Sequence, residues 1–167
     1  MRHTAILVGA MAAALVAVDL SAQNTPNFSG SWTMMASPDA SAGGGGRGGG
    51  RGGFGGLGQG ATISQDGTAL TITRSTQAGE TESVYKLDGS ESTNTLSFGG
   101  NSVEQVSTAN WEGSTLVITT RMDMGGNAIE TTMALSLDEE GSLVIESTRP
   151  GRGGGAATTT TTKYSKD

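Results

Sequence analysis

Apolar and polar residues alternate with a period of two through most of this chain, and glycine breaks the alternation at intervals. Of the 28 glycines, thirteen crowd into Gly43–Gly60 and four into Gly151–Gly155. Nine more (67, 79, 89, 99, 100, 113, 125, 126 and 141) fall between the alternating stretches, and Gly9 and Gly30 complete the set. Period-two alternation sends successive side chains to opposite faces of a strand, and glycine supplies the positive φ of tight hairpin turns. The pattern predicts strands near Ser29–Met35, Ala61–Gln65, Ala69–Ser75, Glu82–Leu87, Glu91–Phe98, Ser102–Trp111, Ser114–Met122, Ala128–Leu137, Ser142–Arg149 and Thr158–Ser165. An internal repeat supports hairpins. Asp66-Gly67-Thr68-Ala69-Leu70-Thr71-Ile72 resembles Glu112-Gly113-Ser114-Thr115-Leu116-Val117-Ile118, and Glu140-Gly141-Ser142-Leu143-Val144-Ile145 matches with one residue fewer.

No stretch beyond the N-terminal segment carries a helical apolar stripe, so the expectation is an all-β meander. Closure removes the two exposed edges of such a sheet, which favours an up-and-down antiparallel β-barrel of about 8–10 strands over a sandwich. A lipid-spanning barrel is disfavoured, because the faces opposite the Leu-x-Ile positions carry Thr, Ser and Glu and the chain lacks aromatic girdles.

The first segment reads as an export signal. Met1-Arg2-His3 is basic, Ala5 to Val18 is a run of fourteen apolar or small residues, and Leu20-Ser21-Ala22 offers a cleavage site before Gln23. That run is short for ~30 Å of hydrocarbon. The expected organisation is a signal peptide over 1–22 and a first barrel strand with a Gly-x-Trp motif over 23–36. A flexible, disordered Gly/Arg-rich loop over 37–60 and the remainder of a single barrel over 61–167 follow. The expected product is secreted or periplasmic, monomeric, and without a membrane span in the mature chain.

Removing 1–22 leaves nine Lys/Arg and fifteen Asp/Glu, a net charge of −6, with neither Cys nor His. Without His or Cys the mature chain cannot assemble Ser-His-Asp or Cys-His machinery or an imidazole zinc site. Two carboxylates can hydrolyse glycosides, but the acids here sit in turns: Asp66, Asp88, Glu112, Asp123, Asp138, Glu139 and Glu140. The expectation is no enzyme, no cofactor and no metal. Asp138-Glu139-Glu140 lacks the spaced ligands of a Ca²⁺ loop and reads as a solvated turn. Asn27-Phe28-Ser29 matches a glycosylation acceptor by pattern alone. The Arg-Gly-Gly repeats (Arg47, Arg51, Arg152) look like RNA-binding boxes, but a net charge of −6 has the wrong sign for nucleic acid, so no nucleic-acid partner is expected.

Asn27-Phe28-Ser29-Gly30-Ser31-Trp32 resembles the Gly-x-Trp opening of lipocalin-type barrels. With Gln65-Asp66-Gly67, Leu87-Asp88-Gly89, Asn110-Trp111-Glu112-Gly113 and Ser147-Thr148-Arg149-Pro150-Gly151-Arg152, the chain is similar to small exported bacterial lipocalin-like proteins of unassigned function. The resemblance covers most of 27–165 and implies a calycin-type barrel holding a small apolar molecule. It departs at the Gly-rich insertion, where the wider superfamily carries an ordered lid.

Strand counting places the short turns at Asp66-Gly67, Asp88-Gly89, Glu112-Gly113 and Glu139–Gly141 at one end. The long loops, 37–60 and 150–157, fall at the other with Gln77–Glu80, Gly99–Asn101 and Asp123–Asn127. Arg47, Arg51, Arg149 and Arg152 thus gather at the expected mouth, as a rim for carboxylate or phosphate heads or as solubilising charges in glycine tracts. The expected interior is Leu70, Ile72, Leu116, Ile118, Met122, Ile129, Met133, Leu135, Leu143 and Ile145, with Trp32, Tyr85, Leu87, Leu96, Phe98, Val106, Trp111 and Tyr164 as larger fillers and Thr131 on the inward parity. Gly30, Trp32 and Trp111 form the structural motif, with Trp32 as a core plug. Two functions follow: non-catalytic binding of a small apolar or amphipathic ligand as partner, with an anionic head as one option, or a structural or interaction role at the cell envelope with a filled barrel. A cavity of several hundred Å³ favours the first and a filled core the second.

Overall fold

The computed structural model describes residues 25–36, 56–76, 79–98, 101–123, 125–151 and 155–167. Ten strands account for most of them: β1 (Gly30–Met34), β2 (Gly60–Gln65), β3 (Ala69–Thr76), β4 (Gly79–Lys86), β5 (Ser92–Phe98), β6 (Asn101–Glu112), β7 (Thr115–Asp123), β8 (Ala128–Leu137), β9 (Leu143–Arg149) and β10 (Thr158–Lys166). No helix occurs among the described residues. The all-β, up-and-down antiparallel barrel expected from the sequence is the observed architecture.

The strands form one antiparallel sheet in the order β4-β3-β2-β1-β10-β9-β8-β7-β6-β5. Its two chain-terminal strands are neighbours, with Trp32 opposite Lys166 and Met34 opposite Tyr164. That pairing turns the meander into a barrel whose single seam lies between β4 and β5. The seam is bridged by side chains in place of a backbone ladder. Asn94 Oδ1 accepts from Val84 N at 2.8 Å and Asn94 Nδ2 donates to Val84 O at 3.0 Å. Ser92 Oγ accepts from Lys86 N at 2.8 Å. An unpaired strand edge is costly when buried, and these side chains satisfy it.

Burial follows the period of two. Leu70 and Ile72 on β3, Leu116 and Ile118 on β7, and Leu143 and Ile145 on β9 point inward and are at most 1% exposed. Outward positions carry hydroxyls: Thr108, Thr119, Thr132, Thr148 and Thr159 lie in register across β6 to β10. Val106 departs from the expectation of an inward filler. Its strand mates Ser107 and Ala109 are buried, so parity puts Val106 on the outer face.

Acidic side chains build the short turns. Asp66 Oδ1 accepts from Thr68 N at 2.7 Å, Ala69 N at 2.8 Å and the Thr68 hydroxyl at 2.8 Å. Asp88 does the same for Ser90 and Asp138 for Glu140 and Ser142. Gly89, Gly113 and Gly141 adopt φ of +79°, +65° and +79°. Gly67 does not share the positive φ expected of turn glycines.

The order of the packed barrel extends into the stretch expected to be a flexible loop. Leu57 is 1% exposed in the core, and Gln59 O accepts from Met34 N at 2.9 Å. The rest of that loop, residues 37–55, lies outside the described residues.

Candidate functional site: the polar half of the barrel interior

The interior changes character along the barrel axis. At the end closed by short turns it is apolar and full. Phe28 stacks on Trp111 with ring centroids 5.8 Å apart, and Trp32 Nε1 donates to Phe28 O at 2.8 Å. Gly30 explains the first half of the Gly-x-Trp motif. Its φ is +148°, and a Cβ there would collide with the Lys166 side chain. The missing side chain lets Lys166 cross the barrel end, where its ammonium stands 5.6 Å from the Trp32 ring centroid. Trp32, 2% exposed, is the plug of this end.

Toward the opposite end the inward positions become polar. Ser83, Ser107, Thr131 and Ser147 are all buried, and Ser107 Oγ and Thr120 Oγ1 share a hydrogen bond of 2.8 Å. Among them lies a cavity of about 30 Å³ bordered by Gly56, Arg74, Tyr85, Leu96, Gln105, Thr120, Met122, Thr131 and Met133. A cavity of that size holds about two water-sized groups.

Arg74 is the charged member of this lining. It follows Leu70 and Ile72 on the inward face of β3 and is half-buried. Its Nη1 donates to Gly56 O at 3.2 Å. Its Nε is buried with no hydrogen-bond partner among the described residues. The ion pairs among those residues, Arg121–Glu130 and Lys163–Asp138, leave Arg74 without a carboxylate. Gln105 opposite is also weakly engaged, its Nε2 donating to the Met122 thioether at 3.8 Å. Nearby, burial pushes the Tyr164 phenol above its ordinary pKa, against the opposing pull of a backbone contact and of the Arg74 charge. The phenol donates to Gly58 O at 3.2 Å.

Most of the expected interior is assembled in this way. Tyr85, Met122 and Met133 are buried, Leu96 is half-buried at the cavity, and Trp111 is half-buried against the core. The Phe98 side chain lies outside the described residues. Of the expected mouth arginines, Arg149 is exposed at the end of β9, and Arg47, Arg51 and Arg152 lie outside the described residues. Sequence reasoning missed Arg74 and Gln105, although extending the Leu70–Ile72 parity by two residues marks Arg74 as inward. The same parity, run back from Gly30, marks Phe28. Leu57 carries no such signal, because it stands alone in a glycine run.

Fold and interior together define a nearly closed, ten-stranded up-and-down β-barrel with an apolar floor and a polar, arginine-bearing upper interior. No protein-family model matches the chain, and no curated protein matches it significantly.

Proposed function

We propose that the chain is an exported, non-catalytic, lipocalin-like barrel that serves as a structural or interaction module of the cell envelope. The filled interior carries this reading. Pockets for cofactor- or drug-sized ligands occupy ~300–1,000 Å³, an order of magnitude above the 30 Å³ free here. Phe28, Trp32, Leu57 and Tyr164, each at most 2% exposed, fill interior volume in which an apolar tail would lodge. A barrel holding a small apolar or amphipathic molecule, the other reading of the sequence, needs space that these side chains fill.

The outer face supports a water-exposed module. It presents the threonine row and charged residues, and the exposed large hydrophobics among the described residues are Met35 and Val84. A lipid-facing barrel requires a continuous apolar band there. Export rests on the signal-like segment 1–22, and the non-catalytic reading on a mature chain without His or Cys.

Native mass spectrometry of the chain purified from its own host tests the reading. The expected spectrum is that of the polypeptide without a lipid-sized companion. A stoichiometric apolar molecule retained in the gas phase overturns it.

A further inference from the structure

We propose that the cavity beside Arg74 is a binding site for the carboxylate group of a small organic acid. A charged group drawn out of water needs a partner, and an inward arginine with a buried, unsatisfied Nε–H lacks one. Its Nη1 is committed to the Gly56 carbonyl. The edge that carries Nε–H is the edge that grips a planar carboxylate through two parallel hydrogen bonds.

The surroundings fit the same group. The 30 Å³ beside Arg74 accommodates a head of a few atoms and excludes a long chain. Gln105 has a donor spent only on a thioether, a weak acceptor. Thr131 lines the same space. Leu96, Met122 and Met133 supply an apolar wall suited to a methyl or short alkyl group. Among the described residues no Asp or Glu borders the cavity, so none of them repels an anion there. The half-exposed position of Arg74 keeps the site in reach of solvent. This site stands apart from the envelope role: a retained lipid overturns that role and leaves this site, and a failed acid titration does the reverse.

The test is titration of the full mature chain with formate, acetate and chloride at constant ionic strength, read by thermal shift and by the Nε–Hε resonance of Arg74. Acetate at ten times its dissociation constant is expected to raise Tm by about 3–6 °C and to move the Arg74 resonance, with chloride doing neither. Arg74→Gln is expected to weaken acetate binding by about ten- to a hundredfold. Arg74→Lys, which keeps the charge without the planar edge, is expected to lose the preference for acetate over chloride. Arg121→Gln, on the outer face, leaves the response intact. Should Arg74→Gln fail to fold, the wild-type resonance decides. An Arg74 resonance that ignores acetate, or chloride acting as strongly as acetate, overturns the proposal and leaves water as the partner of Nε.

Discussion

Asn94 stands in for a stretch of β-ladder: across the seam its carboxamide accepts from Val84 N at 2.8 Å and donates to Val84 O at 3.0 Å. A hairpin whose strands diverge too far for backbone pairing is closed by a side chain of the right length and polarity. Asn94→Leu removes both bonds and leaves two backbone groups without partners, which costs about 2–4 kcal/mol. Urea unfolding measures the loss, and hydrogen exchange locates it, with the Val84 amide losing protection first. A variant as stable as the wild type shows the seam needs no bridge.

The two turn glycines Gly67 and Gly89 separate conformational need from mere position. Gly89 has φ +79°, and a Cβ there would stand 2.7 Å from Asn110 Oδ1. Gly67 has an ordinary φ and open space around it. Gly89→Ala is expected to destabilise by about 1–2 kcal/mol. Gly67→Ala is expected to stabilise by roughly 0.4–1 kcal/mol through a less flexible unfolded chain. Matched thermal melts give the two signs, and equal signs contradict the account.

Phe28 joins the floor of the barrel to the first strand. Its ring stacks on Trp111 and its carbonyl takes the Trp32 indole N–H. Phe28→Ala leaves a cavity in a fully buried site and costs about 3–5 kcal/mol. Phe28→Leu, which keeps most of the volume, costs about 1–2 kcal/mol. Tryptophan fluorescence and urea midpoints read both, and a small loss for Phe28→Ala would mean that the floor collapses around the gap.

Acid should weaken the closed end. Asp138 is held below the usual carboxylate range first by the Ser142 amide and then by Lys163. The Thr68 amide, the Thr68 hydroxyl and the Ala69 amide lower Asp66, and the Ser90 hydroxyl and amide lower Asp88. A folded-state pKa below the unfolded value gives stability that is present above the unfolded pKa and lost as pH falls through the folded one. Tm is therefore expected to hold above pH ~4 and to fall below it. Asp138→Asn, which keeps an acceptor for Ser142, is expected to flatten part of that fall.

The same residues explain what was legible in the chain. Leu116 and Ile118, or Leu143 and Ile145, announce their strands because alternation and an acidic turn are local properties, readable a few residues at a time. Arg74 obeys the same alternation yet reads as a surface charge, since nothing nearby in sequence says that β3 continues inside a closed wall. Val106 shows the opposite error: an apolar residue suggests the interior, but the strand phase set by Ser107 and Ala109 overrules it.

What the sequence determined by itself is the all-β meander, the positions of its ten strands and the end at which its short turns lie. Turn chemistry and period-two burial act over neighbouring residues and need no partner from afar. What the tertiary structure decided is the closure through β1 and β10, the seam bridged by Asn94, and the filling of the interior. Those depend on residues more than a hundred positions apart, such as Leu57, Trp32 and Tyr164, competing for one volume. Volume is a property of the packed whole, so only the fold could show how far the interior is filled: an apolar cluster at the closed end with a small arginine-lined cavity above it.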